Sequence, residues 1–353
     1  MNSKRFYYLD ILRIIACLAV ILIHTSAPFA VQEVGSFNYW IGHSVDSTFR
    51  FGVPVFVMIS GALLLDEQYD CPPKKLVKKI ILLLVFYVFW SLLYALIYDI
   101  FVPSAKGIDI NFTDFITRFF SGHLHLWFIP MLIGLYLLVP VLRLFVKKEN
   151  KAYIKYILWL SFIFIFIIQL IFRILSFYGV KLLKSNLFFE RMDIALISGL
   201  LPYFLLGWYL HNFQLKKGIR ILAYILGAIS VPMIIFGSYA ISVTGGNKFF
   251  FYEENVIFVL FISIALFVLM KQIVPQEKKY DCGDNFVVAL SNCSLGVYGM
   301  HVGFCYMMAR IIDRSFTDNA LITIPIVFYF SAIVSYLISY VISRIPLAKH
   351  LVS

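Results

Sequence analysis

The sequence has little charge and few cysteines, and these two shortages exclude common classes of protein. Only 14% of the 353 residues are charged, whereas a soluble domain carries about 25%. The five cysteines form no closely spaced pair and imply no disulfide framework. We also find no internal repeat and no matched pair of interrupted apolar segments, which are typical of many transporters. The chain therefore fits neither an ordinary soluble domain nor a disulfide-stabilised one.

Apolar residues make up most of what is present. They form 61% of the chain, and the mean hydropathy is +0.89. A helix of about 20 apolar residues crosses the hydrocarbon core of a bilayer, and segments of this kind fill the sequence. It therefore predicts an all-α integral membrane protein with a single transmembrane domain over residues 1–353. The ten predicted spans are 7–28, 43–65, 76–102, 125–146, 153–175, 193–213, 219–243, 252–272, 286–310 and 320–343.

The basic residues predict the orientation of these spans. Lys and Arg are about twice as numerous in the terminal segments and the even-numbered loops as on the opposite face. This bias predicts that both termini are cytoplasmic. The formal net charge of +11 is spread over these short loops, so it reflects topology and indicates no nucleic-acid partner.

An arginine and a histidine lie inside the first predicted span, where such side chains are costly and usually functional. Arg13 and His24 share one face of a helix and lie about 16.5 Å apart along its axis. That gap is long for an ion pair and suits an elongated ligand. We therefore take both as candidate site residues, with Arg13 near the cytoplasmic side and His24 near the outer side.

Five of the seven histidines fall on the predicted outer side, where a cluster of imidazoles could exchange protons near neutral pH. His24 favours chemistry because it shares a face with the buried arginine, whereas His43 and His123 favour interhelical hydrogen bonds. His125 and His301 fit either role. Residues two apart on a helix diverge by about 200°, so His123 and His125 are not expected to chelate together. No cysteine or carboxylate cluster completes a ligand set, and no metal is predicted.

Four stretches of the sequence carry a family resemblance. They are Leu9 to Arg13 followed by His24, Arg50 to Leu64 (RFGVPVFVMISGALL), His125 to Pro140 (HLWFIPMLIGLYLLVP) and Ser294 to Val302 (SLGVYGMHV). In this order, over the whole length and with ten spans, they resemble the membrane-bound acyltransferase 3 family and its signature of an arginine and a histidine separated by ten residues. The likeness is to stand-alone members that O-acetylate polysaccharides.

The resemblance implies an O-acyltransferase of the bacterial cell membrane. It would move an acyl group, most often acetyl, from cytoplasmic acyl-coenzyme A (acetyl-CoA) to a hydroxyl of a surface or lipid-linked glycan. The implied partners are acyl-CoA, the glycan acceptor and membrane lipids; the oligomeric state, including a homo-oligomer, stays open. The family's essential residues map onto Arg13 and His24. Many members have paired arginines after the second span, where this chain has point-charge lysines: Lys74, Lys75, Lys78 and Lys79.

The residue chemistry fits the same reaction. His24 is the candidate general base for the acceptor hydroxyl, and Arg13 is the candidate partner of the donor phosphates. Asp10 either orients Arg13 or stabilises the helix start. The predicted donor-binding residues are Arg13, Asp10, Lys74, Lys75 and Lys78. The predicted acceptor-binding residues of an outer chamber, some of which could also stabilise an oxyanion, are Arg50, Ser60, His125, Trp127 and His301.

Several alternatives stay open from the sequence. Gly61 is expected to let two helices approach closely, and Tyr298 fits packing as well as catalysis. Direct transfer and an acyl-histidine intermediate are both compatible with the residues. The competing function is that of a ten-span transporter of a glycan or small molecule, with His24 and Arg13 as proton-relay or substrate contacts. A receptor or structural role would leave the intramembrane arginines unexplained.

Overall fold

A computed structural model describes residues 5–69, 71–101, 111–179, 199–247, 249–275, 282–313, 319–346 and 348–352. Every regular element in these ranges is helical. The α-helices are α1 (Tyr7–Ala30), α2 (Phe37–Phe49), α3 (Gly52–Leu64), α4 (Pro73–Ala95), α5 (Phe112–Ser121), α6 (Phe128–Phe145), α7 (Lys151–Ser161), α8 (Ile168–Phe177), α9 (Leu201–Asn212), α10 (Lys217–Val243), α11 (Ile257–Ile273), α12 (Cys282–Asp313) and α13 (Ala320–Ser343).

Shorter helical turns extend several of these helices. A π-helix continues α4 over Leu96–Phe101, and another joins α7 to α8 over Phe162–Ile167. A 3₁₀ turn, Leu124–Trp127, leads into α6. A last 3₁₀ turn, Lys349–Leu351, follows α13.

The helices confirm an all-α membrane protein. Among the described residues, eight helical runs are long and apolar enough to cross a bilayer, and each overlaps one of the ten predicted spans. The span predicted over 252–272 corresponds to α11, which is shorter. The span predicted over 193–213 lies partly outside the described residues, and α9 covers its second half. The number of spans and the side of the termini therefore stay predictions.

Helix α1 occupies the centre of the bundle, which explains why its side chains are enclosed on several faces. It packs against α2, α3, α12 and α13. Tyr8, Leu12 and Ile21 on this helix are fully buried. A central helix holds its polar side chains away from lipid, and the cost of burying Arg13 and His24 is lowered by neighbouring protein groups.

Two glycines set the contact between α3 and α9. A Cβ on Gly61 would overlap the carbonyl oxygen of Phe204, and a Cβ on Gly207 would overlap that of Met58. The two backbones therefore touch directly, in the manner of small-residue contacts between membrane helices. The close approach predicted for Gly61 is confirmed.

The segment that joins α3 to α4 is held in place by hydrogen bonds to buried polar groups. Arg143 donates to the backbone oxygens of Asp66 and Tyr69, both at 2.8 Å. Asp66 pairs with His211 Nε2 at 3.3 Å and accepts from the Gln68 N–H at 2.7 Å. Burial alone would raise the pKa of the Asp66 carboxyl, but these hydrogen bonds outweigh it and lower that pKa below its ordinary value. Arg143 is thus a structural residue.

Candidate active site

Two cavities enter the bundle from opposite ends of α1. We call the end where α1 begins the near end and the end where α1 finishes the far end. The near cavity has a volume of about 910 Å³ and is lined by Arg13 of α1. The far cavity has a volume of about 560 Å³ and is lined by His24 of α1. The two candidate residues of the first helix therefore open into different cavities.

The near cavity is basic. Its lining includes three cations from three helices, namely Arg13 of α1, Lys79 of α4 and Arg344 just after α13. None of the described residues that line it is Asp or Glu. A concave site with cations on several sides and no carboxylate attracts anions.

Arg13 is held by a short polar chain. Its Nη1 donates to Ser291 Oγ at 3.3 Å, and Ser291 Oγ donates to Asp10 Oδ1 at 2.6 Å. Asp10 in turn accepts from Arg5 at 2.7 and 2.8 Å. Asp10 is buried, is linked to Arg13 through the Ser291 hydroxyl and also acts on Arg13 electrostatically, while its carboxylate pairs with Arg5. The link through Ser291 fits the orienting role of Asp10, and its place in the first turn of α1 fits the helix-stabilising role, so both stay predictions.

The lysines at the start of α4 divide into two groups. Lys74, Lys75 and Lys78 are exposed and are absent from the lining of the near cavity. Lys79 lines the cavity and donates to the Tyr69 hydroxyl at 2.8 Å. The donor-binding residues predicted from the sequence included Lys74, Lys75 and Lys78 but not Lys79, whereas only Lys79 of the four lysines is among the described residues that line the near cavity. It is the deepest of the four, since the apolar run of α4 begins directly after it.

His24 stands at the inner end of the far cavity beside two other histidines. Its ring centroid lies 5.1 Å from that of His301 and 6.2 Å from that of His125. Arg50 is close enough to His24 to act on it electrostatically. His24, His125 and His301, which the sequence predicts on the outer side of the membrane, therefore have neighbouring side chains.

A layer of side chains lies between His24 and the near cavity, and we call it the separating layer. It consists of His125, His301 and Tyr298, all buried. The Tyr298 hydroxyl donates to the backbone oxygen of His125, and its ring lies 5.6 Å from the His125 ring. Tyr298 lines the near cavity, while His24 on the other side of the layer lines the far one. Tyr298 therefore lies between the near cavity and the histidines beside His24, and its role in packing or catalysis stays open.

The hydrogen bonds of His301 fix its tautomer. Its Nδ1 lies 2.8 Å from the Tyr298 backbone oxygen and 3.1 Å from that of Val297. Two carbonyl oxygens can only accept, so Nδ1 carries the proton and Nε2 of the neutral ring is a free lone pair. That Nε2 is buried and has no hydrogen-bond partner. His301 therefore offers a proton acceptor beside His24.

His123 and His125 differ from the geometry predicted for them. His123 has an extended backbone (φ −71°, ψ 151°) and precedes the 3₁₀ turn, so the two residues do not share a regular helix. Their Nδ1 atoms lie 2.8 Å apart. The predicted divergence of about 200° is therefore wrong, because it assumed an α-helix. Even so, no group of three or more His, Cys, Asp or Glu side chains in the described ranges is arranged to hold a metal ion.

The remaining predicted residues of the outer chamber are scattered. Ser60 lines the near cavity. Trp127 has a side chain that is 43% exposed and is not among the described residues that line either cavity, so its role in acceptor binding stays a prediction. Arg50, at the break between α2 and α3, pairs with Asp46 at 2.5 Å and lies over the Tyr252 ring. The interhelical hydrogen bond predicted for His43 is confirmed by its Nε2, 2.8 Å from the Ile235 oxygen.

Sequence reasoning missed several residues that line the cavities. Arg344 is the last arginine of the chain, and Arg118 and Arg310 lie at helix ends on the far side. All three were counted as topology signals, because a cation at a helix end usually marks the membrane surface. Only the fold shows that they face cavities.

The comparison with known families accords with this arrangement. A family model described as an acyltransferase domain, that of the acyltransferase 3 family, matches residues 6–344. No curated protein and no solved structure matches the chain significantly. Since the family match covers nearly the whole chain, the protein belongs to the acyltransferase 3 family and is a multi-pass membrane acyltransferase.

Proposed function

We propose that the protein transfers an acyl group, acetyl in the first instance, from acyl-CoA in the near cavity to a glycan hydroxyl in the far cavity. The observation that supports it best is the pair of cavities at opposite ends of α1, one lined by three cations and the other by His24. In this proposal the near end faces the cytoplasm, as the distribution of basic residues predicts. The membrane is the cell membrane of a bacterium.

The donor half of the reaction uses the basic lining of the near cavity. Coenzyme A carries phosphates at one end and the thioester at the end of a narrow arm. Arg13, Lys79 and Arg344 hold the phosphates by charge-assisted hydrogen bonds. The distance along α1 from Arg13 to His24 is about 16.5 Å, which an extended pantetheine arm can cover. Lys74, Lys75 and Lys78 attract the donor from the surface without contacting it.

The acceptor half uses His24 as a general base. The imidazole takes the proton of the acceptor hydroxyl as that oxygen attacks the thioester carbonyl. Collapse of the tetrahedral intermediate breaks the carbon–sulfur bond, and the protonated His24 returns the proton to the departing thiolate. The products are an acyl ester of the glycan and coenzyme A. In this proposal the His24 ring turns during the reaction to donate a hydrogen bond to Nε2 of His301, which has no partner in the resting structure and lies on a ring 5.1 Å away.

The separating layer must open for the thioester to reach His24. Tyr298 is the member that lines the near cavity, and its hydroxyl donates a hydrogen bond to the His125 backbone oxygen. We infer that the arm of the donor displaces the Tyr298 side chain. Closure without donor keeps water and ions from crossing between the two cavities.

Radiolabelled transfer tests the proposal. The purified protein in nanodiscs is incubated with [¹⁴C]acetyl-CoA and undecaprenyl-linked bacterial glycans, and label in the glycan is measured. We expect incorporation with the native chain and a loss of at least about 100-fold in His24→Ala, the usual range for removal of a general base. Label that enters the glycan equally well in His24→Ala would contradict the role of His24. Movement of unmodified glycan across the bilayer, without label, would favour the transporter.

A further inference from the structure

We propose that a pocket between the end of α9, the start of α10 and the end of α11 binds the phosphate headgroup of an anionic phospholipid. Its polar lining is supplied by Gln214, Arg220, Lys271 and Gln272, and we call it the basic pocket. It has a volume of about 440 Å³ and shares none of its described lining residues with the near cavity. The inference is therefore independent of the proposed function.

The basic pocket lies at the near end of the bundle. The Tyr8 hydroxyl, at the start of α1, lies 2.5 Å from Nδ1 of His211, which is in the last turn of α9. Helix α10 begins shortly after α9 ends, and the Lys271 side chain joins the end of α11 to the end of α9. The pocket therefore opens on the same side of the membrane as the near cavity.

Three cations from three helices surround the basic pocket. Arg220 of α10 and Lys271 of α11 line it. Lys151 of α7 lies over the ring of Phe213, another lining residue, with its Nζ 4.2 Å from the ring centroid. No Asp or Glu is among the described residues of this lining. A concave site with cations on several elements concentrates anions.

Lys271 is held by neutral groups. Its Nζ donates to the backbone oxygens of Leu210 at 2.6 Å, His211 at 2.7 Å and Phe213 at 3.3 Å. These carbonyls belong to the end of α9, and within the described ranges they are the partners of Lys271. They offset its charge only by the partial negative charge of a helix C-terminus. The ammonium therefore contributes a fixed positive charge to the pocket.

Arg220 is also held by a neutral side chain. With the Gln272 amide oriented so that its oxygen faces the guanidinium, this oxygen accepts from Nε and Nη1 of Arg220 at 2.7 and 2.5 Å, and the amide nitrogen donates to the Tyr224 hydroxyl at 2.8 Å. The contact uses one edge of the guanidinium and fixes its plane. The Nη2 edge makes no hydrogen bond within the part of the chain that the structure describes, and two parallel donors suit a phosphate.

The apolar surroundings of the basic pocket favour a lipid over a free phosphate. Ile219 and Leu222, on either side of Arg220 in the sequence, are exposed, and so is Ile273 directly after Gln272. Exposed apolar side chains on membrane-spanning helices face the hydrocarbon of the bilayer. The pocket therefore lies where the hydrocarbon meets the headgroups, and basic pockets between helices at this level bind anionic headgroups.

The contacts of Lys271 give lipid binding an effect on stability. Lys271 holds the end of α9, where the His211 side chain pairs with Asp66 at 3.3 Å and contacts Tyr8. A ligand that binds only the folded protein stabilises it. An anionic headgroup beside Lys271 should therefore raise the midpoint of thermal unfolding.

A lipid titration tests the inference. The full-length protein is purified in a detergent without phosphate groups and titrated with fluorescent phosphatidylglycerol or with phosphatidylcholine of the same chains. We expect phosphatidylglycerol to bind about tenfold or more tightly, with the difference reduced at high salt. Equal affinity for the two lipids overturns the inference. Displacement by inorganic phosphate or glycerol 3-phosphate as readily as by unlabelled phosphatidylglycerol would show a soluble-phosphate site and overturn the lipid.

Matched variants assign the preference to the basic pocket. Arg220→Gln should reduce the preference for phosphatidylglycerol about tenfold, because a hydrogen bond to a charged group is lost, and Arg220→Lys should retain part of it. The control is Lys217→Gln, which removes an exposed charge of the same helix outside the described lining and should change the preference little.

Thermal unfolding gives a second readout. Phosphatidylglycerol should raise the midpoint of the native chain and of Lys217→Gln more than that of Arg220→Gln. Equal loss of binding in Arg220→Gln and Lys217→Gln, or an equal rise of the midpoint in all three proteins, would show attraction by surface charge alone and overturn the site.

Discussion

Arg13 and His24 show how one helix can serve two separate spaces. They lie on one face of α1, and a tyrosine and two histidines from other elements intervene between the cavities that they line. A residue's depth and azimuth follow from the helix repeat, so both could be placed from the sequence. The intervening side chains come from α12 and from the turn before α6, and their meeting depends on tertiary packing that the sequence alone does not specify.

The first prediction concerns donor binding by the near cavity. Arg13→Gln should weaken the binding of acetyl-CoA by about 10- to 100-fold, because a hydrogen bond to a charged group contributes about 1.5–3 kcal/mol. Isothermal titration with the purified protein measures it. The matched control is Lys78→Gln, which removes a charge from the exposed face of α4 and should change the affinity little. Equal losses in both variants would show that the donor is attracted by surface charge alone.

The second prediction concerns His301. His301→Phe keeps a ring in place but removes the lone pair beside His24, so kcat should fall about 10- to 100-fold, the range known for groups that orient a metal-bound histidine. The KM for the donor should stay near the native value, and the pH–rate profile should change shape because the base is no longer oriented. A packing role alone would leave the pH profile unchanged.

At the scale of the element, the sequence predicted a close helix contact but not the breaks between helical segments. Gly61 was predicted to allow close approach, and it does so against α9. The break between α2 and α3 was not predicted, since the apolar pattern runs through it as one span. An ion pair between Arg50 and Asp46 closes the end of α2 at this break. The extended backbone at His123 was not predicted either. An apolar pattern predicts a helix over the whole segment and does not show whether its first residues are helical.

The third prediction tests the contact of α3 with α9. Gly61→Ala should destabilise the protein by about 1–3 kcal/mol, the usual cost of an extra methyl group in a packed interior. The control is Gly134→Ala, at an exposed position of α6 where an added Cβ meets nothing within 4 Å. Thermal unfolding in detergent should show a lower midpoint for the first variant only. Equal midpoints would mean that the two helices can separate at no cost.

The fourth prediction concerns the segment between α3 and α4. The folded pKa of Asp66 lies below its ordinary value, so its contribution to stability is complete above the unfolded pKa of about 3.9 and is lost as the pH falls through the folded pKa. The stability advantage of the native chain over Asp66→Asn should therefore shrink only below about pH 3.9. Denaturant unfolding as a function of pH measures it. Glu67→Gln, at the exposed neighbouring position, should show no such advantage.

At the scale of the whole molecule, the all-α membrane fold and the family could be predicted from the sequence, because composition, span length and four motifs agree. The two cavities could not be predicted from the sequence. The cations that line them stand at helix ends, where they serve topology as well, and only the packing of α4, α12 and α13 shows which of them face inward. The proposed reaction requires the two cavities to join, and Tyr298 is the side chain that must move.

The most direct test is a structure of the protein with a non-hydrolysable acetyl-CoA analogue, in which a methylene replaces the thioester sulfur. Electron cryo-microscopy of this complex would show where the analogue binds and whether the Tyr298 side chain has moved. We predict that the phosphates of the analogue lie among Arg13, Lys79 and Arg344 and that the Tyr298 side chain is displaced. The acetyl carbonyl should then lie within hydrogen-bonding distance of the His24 side chain. Density for the analogue in the far cavity, or on the protein surface with Tyr298 still closed against His125, would contradict transfer through the bundle.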